Sequence, residues 1–205
     1  MNYLAHFYLS FGQEPLVVGN LLGDFVRGRI DHPRNASYAD DIKTGIKLHR
    51  HIDSFTDEHA VVRACRKRLS PQFGHYSGVV IDMYFDYFLA HHFAEFSPVP
   101  LRFFAANAYA ILEKNRATLP PEALNMVDSM IKYDWLTNYQ YAEGMRRSFG
   151  GMARRFAFLK GIENADEELF LNEAQYLAFF REFFPDLVTS CRQKLAGDNS
   201  ANRVF

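Results

Sequence analysis

Val79-Val80-Ile81-Asp82-Met83-Tyr84-Phe85-Asp86-Tyr87-Phe88-Leu89-Ala90 is the stretch that decides the fold. A helix apolar on every side must sit among other elements, and this apolar tract runs from about Tyr76 to Phe96. Two carboxylates interrupt it. Asp82 and Asp86 lie four residues apart, hence on one helical face. Burying a carboxylate is costly unless its charge is compensated, and two that repel each other sharpen the need for a cation. A divalent metal meets that need. A narrow polar stripe with Arg or Lys partners is the alternative.

Outward from this helix, apolar residues recur with a period near 3.6 and strand-like alternation is scarce, which predicts an all-α, single-domain helical bundle over residues 1–205. Helices are expected over about 2–11, 15–28 and 38–54, then 57–69 after a break at Ser54–Thr56. After Pro98 and Pro100, another runs to about Thr118, and one from Pro120-Pro121 ends near Trp135. Shorter helices are expected over 137–160, interrupted at Gly150-Gly151. A last one covers 166–194, kinked or broken at Pro185, with a frayed tail from about 197.

With 48% hydrophobic residues, 20 Phe and 11 Tyr, the chain has ample material for an aromatic core. Its net charge of −1 excludes a chain-wide attraction to nucleic acid or acidic lipid, so an anionic partner must meet a local basic patch. Arg63, Arg66, Lys67 and Arg68 form one such patch; Arg146, Arg147, Arg154 and Arg155 form another, flanking Gly150-Gly151. The plain reading of each is a solvated helix face. Cys65 and Cys191 form no CxxC pattern and suggest free thiols in a reducing compartment. No run approaches the roughly 18 apolar residues of a membrane span, so a cytoplasmic protein without a membrane partner is expected. P-loop and GxSxG signatures are absent.

Other acid and imidazole groups join the pair. His49 and Asp53 share one face at a spacing of four, a good half-site for a divalent first-row ion or a surface ion pair. Asp24 stands in an apolar run beside Gly19 and Gly23, which permit close helix packing; it suits a metal or a pair with Arg27. His6 lies on an apolar helix, where a satisfied core histidine is the plain reading. Mixed imidazole and carboxylate donors favour Mn²⁺, Mg²⁺ or Fe²⁺ over a structural zinc. His6, Asp24, His49, Asp53, Asp82 and Asp86 are therefore the candidate metal group. Six groups exceed one ion, so either two ions bind or some of these residues orient the others.

Asn2-Tyr3-Leu4-Ala5-His6, Gly19-Asn20-Leu21-Leu22-Gly23-Asp24-Phe25-Val26-Arg27-Gly28, and Gly45-Ile46 with His49-Arg50-His51-Ile52-Asp53 and Thr56-Asp57 together resemble the acyl carrier protein phosphodiesterase family. Asp82, Asp86, Phe88-Leu89, His92, Trp135-Leu136, Tyr139, Gly151-Met152-Ala153 and Arg155 extend the resemblance to about residue 155. It implies an all-helical relative of the HD-domain metal phosphohydrolases. It also implies removal of the 4′-phosphopantetheine arm from holo acyl carrier protein, with Mn²⁺ or a similar ion. The adjacent His-Asp doublet of the wider superfamily occurs nowhere in this chain.

Under that implied chemistry, Asp53 belongs to the catalytic group, and Arg27 and Arg50 balance phosphoryl charge or pair with neighbouring carboxylates. His92, on resemblance alone, is the general acid for the serine leaving group. The basic patch at Arg146, Arg147, Arg154 and Arg155 is the expected dock for an acidic carrier protein. A phosphohydrolase of nucleotides or small phosphate esters, and a non-catalytic binding module, are the competing readings. The sequence leaves the oligomeric state open.

Overall fold

Ser77–His91 (α5) buries almost its entire surface, with Tyr84, Phe85, Phe88 and Leu89 fully out of water. Each such side chain contributes about 1.5–3 kcal/mol through burial, so the other elements arrange themselves around this helix. The computed structural model describes residues 1–155, 159 and 161–201, the last four by backbone alone. Among these residues all regular structure is helical, around one hydrophobic core.

The remaining helices are α1 (Tyr3–Tyr8), α2 (Glu14–Leu22), α3 (Asp40–Glu58), α4 (Ala60–Phe73), α6 (Phe93–Phe96), α7 (Leu101–Lys114), α8 (Pro121–Lys132), α9 (Trp135–Asn138), α10 (Ala142–Arg155), α11 (Ala165–Leu171) and α12 (Glu173–Ala201). α1 lies against both α2 and α5, α3 packs most extensively on α2, and α12 crosses α3, α4 and α5. Gly19 makes the α2–α3 crossing possible: a Cβ there would lie 2.3 Å from the Ile42 carbonyl and 2.6 Å from Gly45 Cα. The aromatic C-terminal helix is core material. Phe183 stacks on Phe85 at 5.3 Å, and Phe180 and Phe184 close on Phe96 at 5.7 and 5.2 Å.

Several expected boundaries shift. α2 stops at Leu22 rather than Gly28, leaving Asp24 in the following turn. α3 runs unbroken through Ser54–Thr56 to Glu58, since Ile52 and Thr56 continue its buried stripe and the Thr56 hydroxyl bonds the Ile52 carbonyl. The apolar tract ends as a helix at His91, and α6 forms a separate short turn. α10 crosses Gly150-Gly151 without a break because Met145, Phe149 and Ala153 bury one face of it. α12 likewise passes Pro185, where the core contacts of Phe183, Phe184 and Leu187 outweigh one missing N–H. Its start moves instead, because Asn172 separates α11 from α12. Helix continues past 197 to Ala201, and residues 156–158, 160 and 202–205 lie outside the described residues.

Candidate metal centre and active site

Three of the six candidate groups converge. α1 supplies His6 while α3 supplies His49 and Asp53, and one donor atom from each lies within 4.8 Å of the other two. Among the described residues this is the one such group of three. Asp53 Oδ1 lies 3.3 Å from His6 Nε2, and Oδ2 lies 3.0 Å from His49 Nε2. The two imidazoles stack with centroids 4.3 Å apart. Asp24 Oδ1 stands 3.6 Å from His49 Nε2. Both imidazoles are buried whereas Asp53 and Asp24 are about half exposed (47% and 44%), so the donors open onto a cleft of about 440 Å³.

Local sequence explains this convergence. His49 and Asp53 are one helical turn apart. Gly23 clears the space for the imidazole, since a Cβ there would fall 2.1 Å from His49 Cγ. His6 is oriented by a buried chain of hydrogen bonds. The Ser10 hydroxyl donates to the His6 carbonyl at 3.0 Å, Asn20 Nδ2 donates to Ser10 Oγ at 2.9 Å, and Asn20 Oδ1 therefore faces His6 Nδ1 at 3.1 Å. This orients the His6 ring so that Nδ1 meets Asn20 and Nε2 faces the Asp53 carboxylate. A ring nitrogen and a carboxylate at that distance share a cation between them, either a proton or a metal ion. Such outer hydrogen bonds to the second imidazole nitrogen are the usual companion of a ligating histidine.

The electrostatics agree. Burial works against charge on His49, but the Asp53 hydrogen bond and the charges of Asp53 and Asp24 raise its pKa overall. Burial works against charge on Asp53 too, but the two imidazoles hold its carboxyl far below the usual range. Tyr3 donates to Asp24 Oδ2 at 2.9 Å, and burial together with Asp24 keeps this phenol protonated.

Asp86 and Asp82 are used differently from the expectation. Asp86 is fully buried, and its oxygens accept from the backbone N–H groups of Asn2, Leu4 and Ala5 at 3.2, 2.8 and 3.3 Å. It satisfies the otherwise unpaired amides at the start of α1 from a distant helix. Burial raises its pKa to about 7 against the pull of the Met1 ammonium and these amides. Asp82, which lines the cleft, receives the Met1 ammonium at 2.8 Å. The compensation that the sequence demanded comes from backbone and chain terminus, which no side-chain pattern displays.

The other candidates divide. Arg50 donates to the Val26 carbonyl at 2.7 Å and bridges neither Asp24 nor Asp53, so it steadies the turn after α2. Arg27 is exposed and His92 pairs with Glu95 at 3.1 Å; neither lines the cleft. Arg146 is held by buried Asp166 at 3.1 Å and Arg147 by Glu143 at 3.0 Å. In the other basic patch, Arg66 pairs with Asp57 at 2.7 Å, and Arg68 reaches Asn172 at 2.8 Å. Arg147, Arg154 and Arg155 share one face of α10 and border a second cavity of about 810 Å³. Sequence reasoning missed Tyr3, Asn20 and Ser10 as parts of the site. Asn20 offered a signal: it is an amide inside the apolar run Leu16–Leu22, where burial requires a partner.

Against known proteins, the family model for acyl carrier protein phosphodiesterase matches residues 1–187. The chain belongs to this family. The acyl carrier protein phosphodiesterase of Pectobacterium atrosepticum is 31% identical over 92% of this chain and 96% of its own length. Those of Enterobacter sp. and Klebsiella pneumoniae are 30% and 31% identical, over 95% of this chain and 99% of theirs. No solved structure matches, and kinship with HD-domain phosphohydrolases remains an implication of the sequence resemblance. For this member of the acyl carrier protein phosphodiesterases, no helix among the described residues is long and apolar enough to cross a membrane.

Proposed function

We propose that the protein is a divalent-metal-dependent phosphodiesterase that hydrolyses the 4′-phosphopantetheine group from holo acyl carrier protein, giving the apo form. The observation that supports the metal dependence is the convergence of His6 Nε2, His49 Nε2 and the Asp53 carboxylate, with the His6 ring oriented by the Asn20–Ser10 chain. His6, His49 and Asp53 would hold the ion, with Asp24 beside them, and the donor set suits Mn²⁺, with Mg²⁺ or Fe²⁺ as alternatives. A bound divalent ion supplies Lewis acidity and charge compensation for a phosphoryl group. The serine oxygen that leaves needs a proton. Tyr3 holds a protonated hydroxyl at the cleft wall, and His92 does not line the cleft. Arg147, Arg154 and Arg155 fit an acidic carrier surface at the cavity rim. Buried free thiols at Cys65 and Cys191 suit the reducing cytoplasm.

The test is incubation of purified protein with holo acyl carrier protein and Mn²⁺ while the carrier mass is followed. Loss of the phosphopantetheine mass, abolished by a chelator and by Asp53→Ala, is the expected result. An unchanged mass under Mn²⁺, Mg²⁺ and Fe²⁺ alike overturns the proposal.

A further inference from the structure

Among the described residues, the metal cleft is lined by four carboxylates, Asp24, Asp53, Asp57 and Asp82, and by no Lys or Arg side chain. Two of the four already face a cation: the Met1 ammonium lies 2.8 Å from Asp82, and Arg66 lies 2.7 Å from Asp57. Asp24 and Asp53 remain for a divalent ion, whose two charges they neutralise. An incoming phosphodiester brings one further negative charge, and the attacking hydroxide adds a second as it bonds to phosphorus. Such a centre needs another cation aimed at the phosphoryl oxygens.

Arg155 stands where that cation is needed. The second cavity adjoins the cleft and shares Asn2, Tyr3, Asp24, Met83 and Met152 with it. Met152, which lines both, lies one helical turn before Arg155, which lines the second. The charge of Arg155 reaches the Tyr3 phenol: burial and the Asp24 carboxylate push that group well above its ordinary pKa, and Arg155 pulls against them. The same phenol donates to Asp24 Oδ2 at 2.9 Å, and Asp24 Oδ1 stands 3.6 Å from His49 Nε2. The neighbouring arginines are turned elsewhere. Asp166 holds Arg146 at 3.1 Å and Glu143 holds Arg147 at 3.0 Å, while Arg154 folds back over Gly150, its Nη1 3.2 Å from where a Cβ would stand.

We propose that Arg155 binds the non-bridging oxygens of the phosphoryl group at the His6–His49–Asp53 cluster, from the side of Tyr3 and Asp24. The assignment rests on the proposed reaction, which brings a phosphodiester to that cluster. A guanidinium offers two parallel N–H donors to a pair of phosphoryl oxygens, which the point charge of an ammonium does not. Arg155 thereby takes the charge-balancing role expected of Arg27 and Arg50, neither of which lines the cleft. This adds to its place on the arginine rim, where it is exposed.

Inorganic phosphate is the probe, because it presents phosphoryl oxygens without a carrier protein. It is titrated calorimetrically into wild type, Arg155→Gln and Arg155→Lys, with and without Mn²⁺. Arg155→Gln should bind phosphate at least tenfold more weakly at about 0.05 M and about 0.3 M salt alike, since a direct contact is screened far less than a distant field. Arg155→Lys, which keeps the charge and loses the fork, should fall between. Mn²⁺ affinity and melting temperature should match wild type in both variants. With holo carrier as substrate, kcat of Arg155→Gln should fall at least tenfold and recover in part when free guanidinium is added. Wild-type phosphate affinity in Arg155→Gln, a deficit that vanishes at the higher salt or comes with lost Mn²⁺ affinity, or no phosphate binding by the unaltered protein overturns the assignment. Phosphate binding that depends on Arg155, in a protein that cleaves no holo carrier, would retain it and sink the proposed reaction instead.

Discussion

Removing the Asp86 carboxylate should destabilise the protein even when no metal is present. Asp86→Ala leaves the amides of Asn2, Leu4 and Ala5 without their acceptor. Each buried donor left unpaired costs about 1–3 kcal/mol, so three give about 3–9 kcal/mol. α1 has only six residues and no independent stability; it can shift and admit water, which puts the expected loss nearer 3–5 kcal/mol. Urea unfolding at pH 6, followed by circular dichroism in excess EDTA, should show a midpoint lowered by more than about 1 M. Were Asp86 a metal ligand instead, its removal from metal-free protein would relieve charge repulsion and cost nothing. A midpoint unchanged in EDTA but lowered in Mn²⁺ would therefore refute the capping assignment. The pH dependence gives a second check. Because the folded-state pKa is raised to about 7, Asp86 contributes most stability below its unfolded value of about 3.9 and loses it as pH rises through 7. The gap between wild type and variant should narrow from pH 5 to pH 8.

Gly23→Ala should weaken Mn²⁺ binding at least tenfold by isothermal titration, because the new methyl displaces the His49 ring while the backbone there (φ −52°) accepts alanine. Unchanged affinity would remove His49 from the ligand set. In metal-free protein, the stability difference between wild type and His49→Gln should peak between about pH 4 and 6.5. Asp53, with its pKa lowered, contributes above about 3.9 and loses that as pH falls; His49, with its pKa raised, contributes below about 6.5 and loses that as pH rises. Chemical denaturation across pH 3–9 tests this, and a difference that does not vary with pH would contradict it. Arg154→Glu should lower kcat/KM for holo carrier roughly tenfold at low salt, with the deficit shrinking as ionic strength rises; an equal deficit at all salt concentrations would exclude electrostatic docking.

The helical class was legible because α5 is apolar all round and the other segments keep a 3.6-residue period. Boundaries were less legible where tertiary burial overrode a local breaker, as at Gly150-Gly151 in α10 and Pro185 in α12. The His49–Asp53 half-site could be read from its spacing of four; Gly23 was legible only as a small residue permitting close packing, and the structure places it against His49. His6 was legible only as an oddity, because its partners Asn20 and Ser10 come from outside α1. Asp82 and Asp86 show the limit most clearly. Burial holds for Asp86 alone, since Asp82 is 35% exposed at the cleft wall; backbone amides and an α-amino group carry no sequence signature, so a metal was the natural inference.

The capping contacts of Asp86 have a consequence for the site. Asp86 does not touch the His6–His49–Asp53 cluster, yet it holds the helix that carries His6. α1 is too short to fold alone, so the position of His6 depends on α5 through one carboxylate and on α2 through Asn20. His49 and Asp53 sit on a nineteen-residue helix packed along α2. The cluster is thus assembled from two residues of one long helix and one residue of a short docked helix. Binding an ion across the two helices would tie α1 to α3, and the free energy of that tie should appear as resistance to unfolding. Mn²⁺ should therefore raise the melting temperature of the native protein more than that of His6→Gln, in which α1 has lost its link to the site.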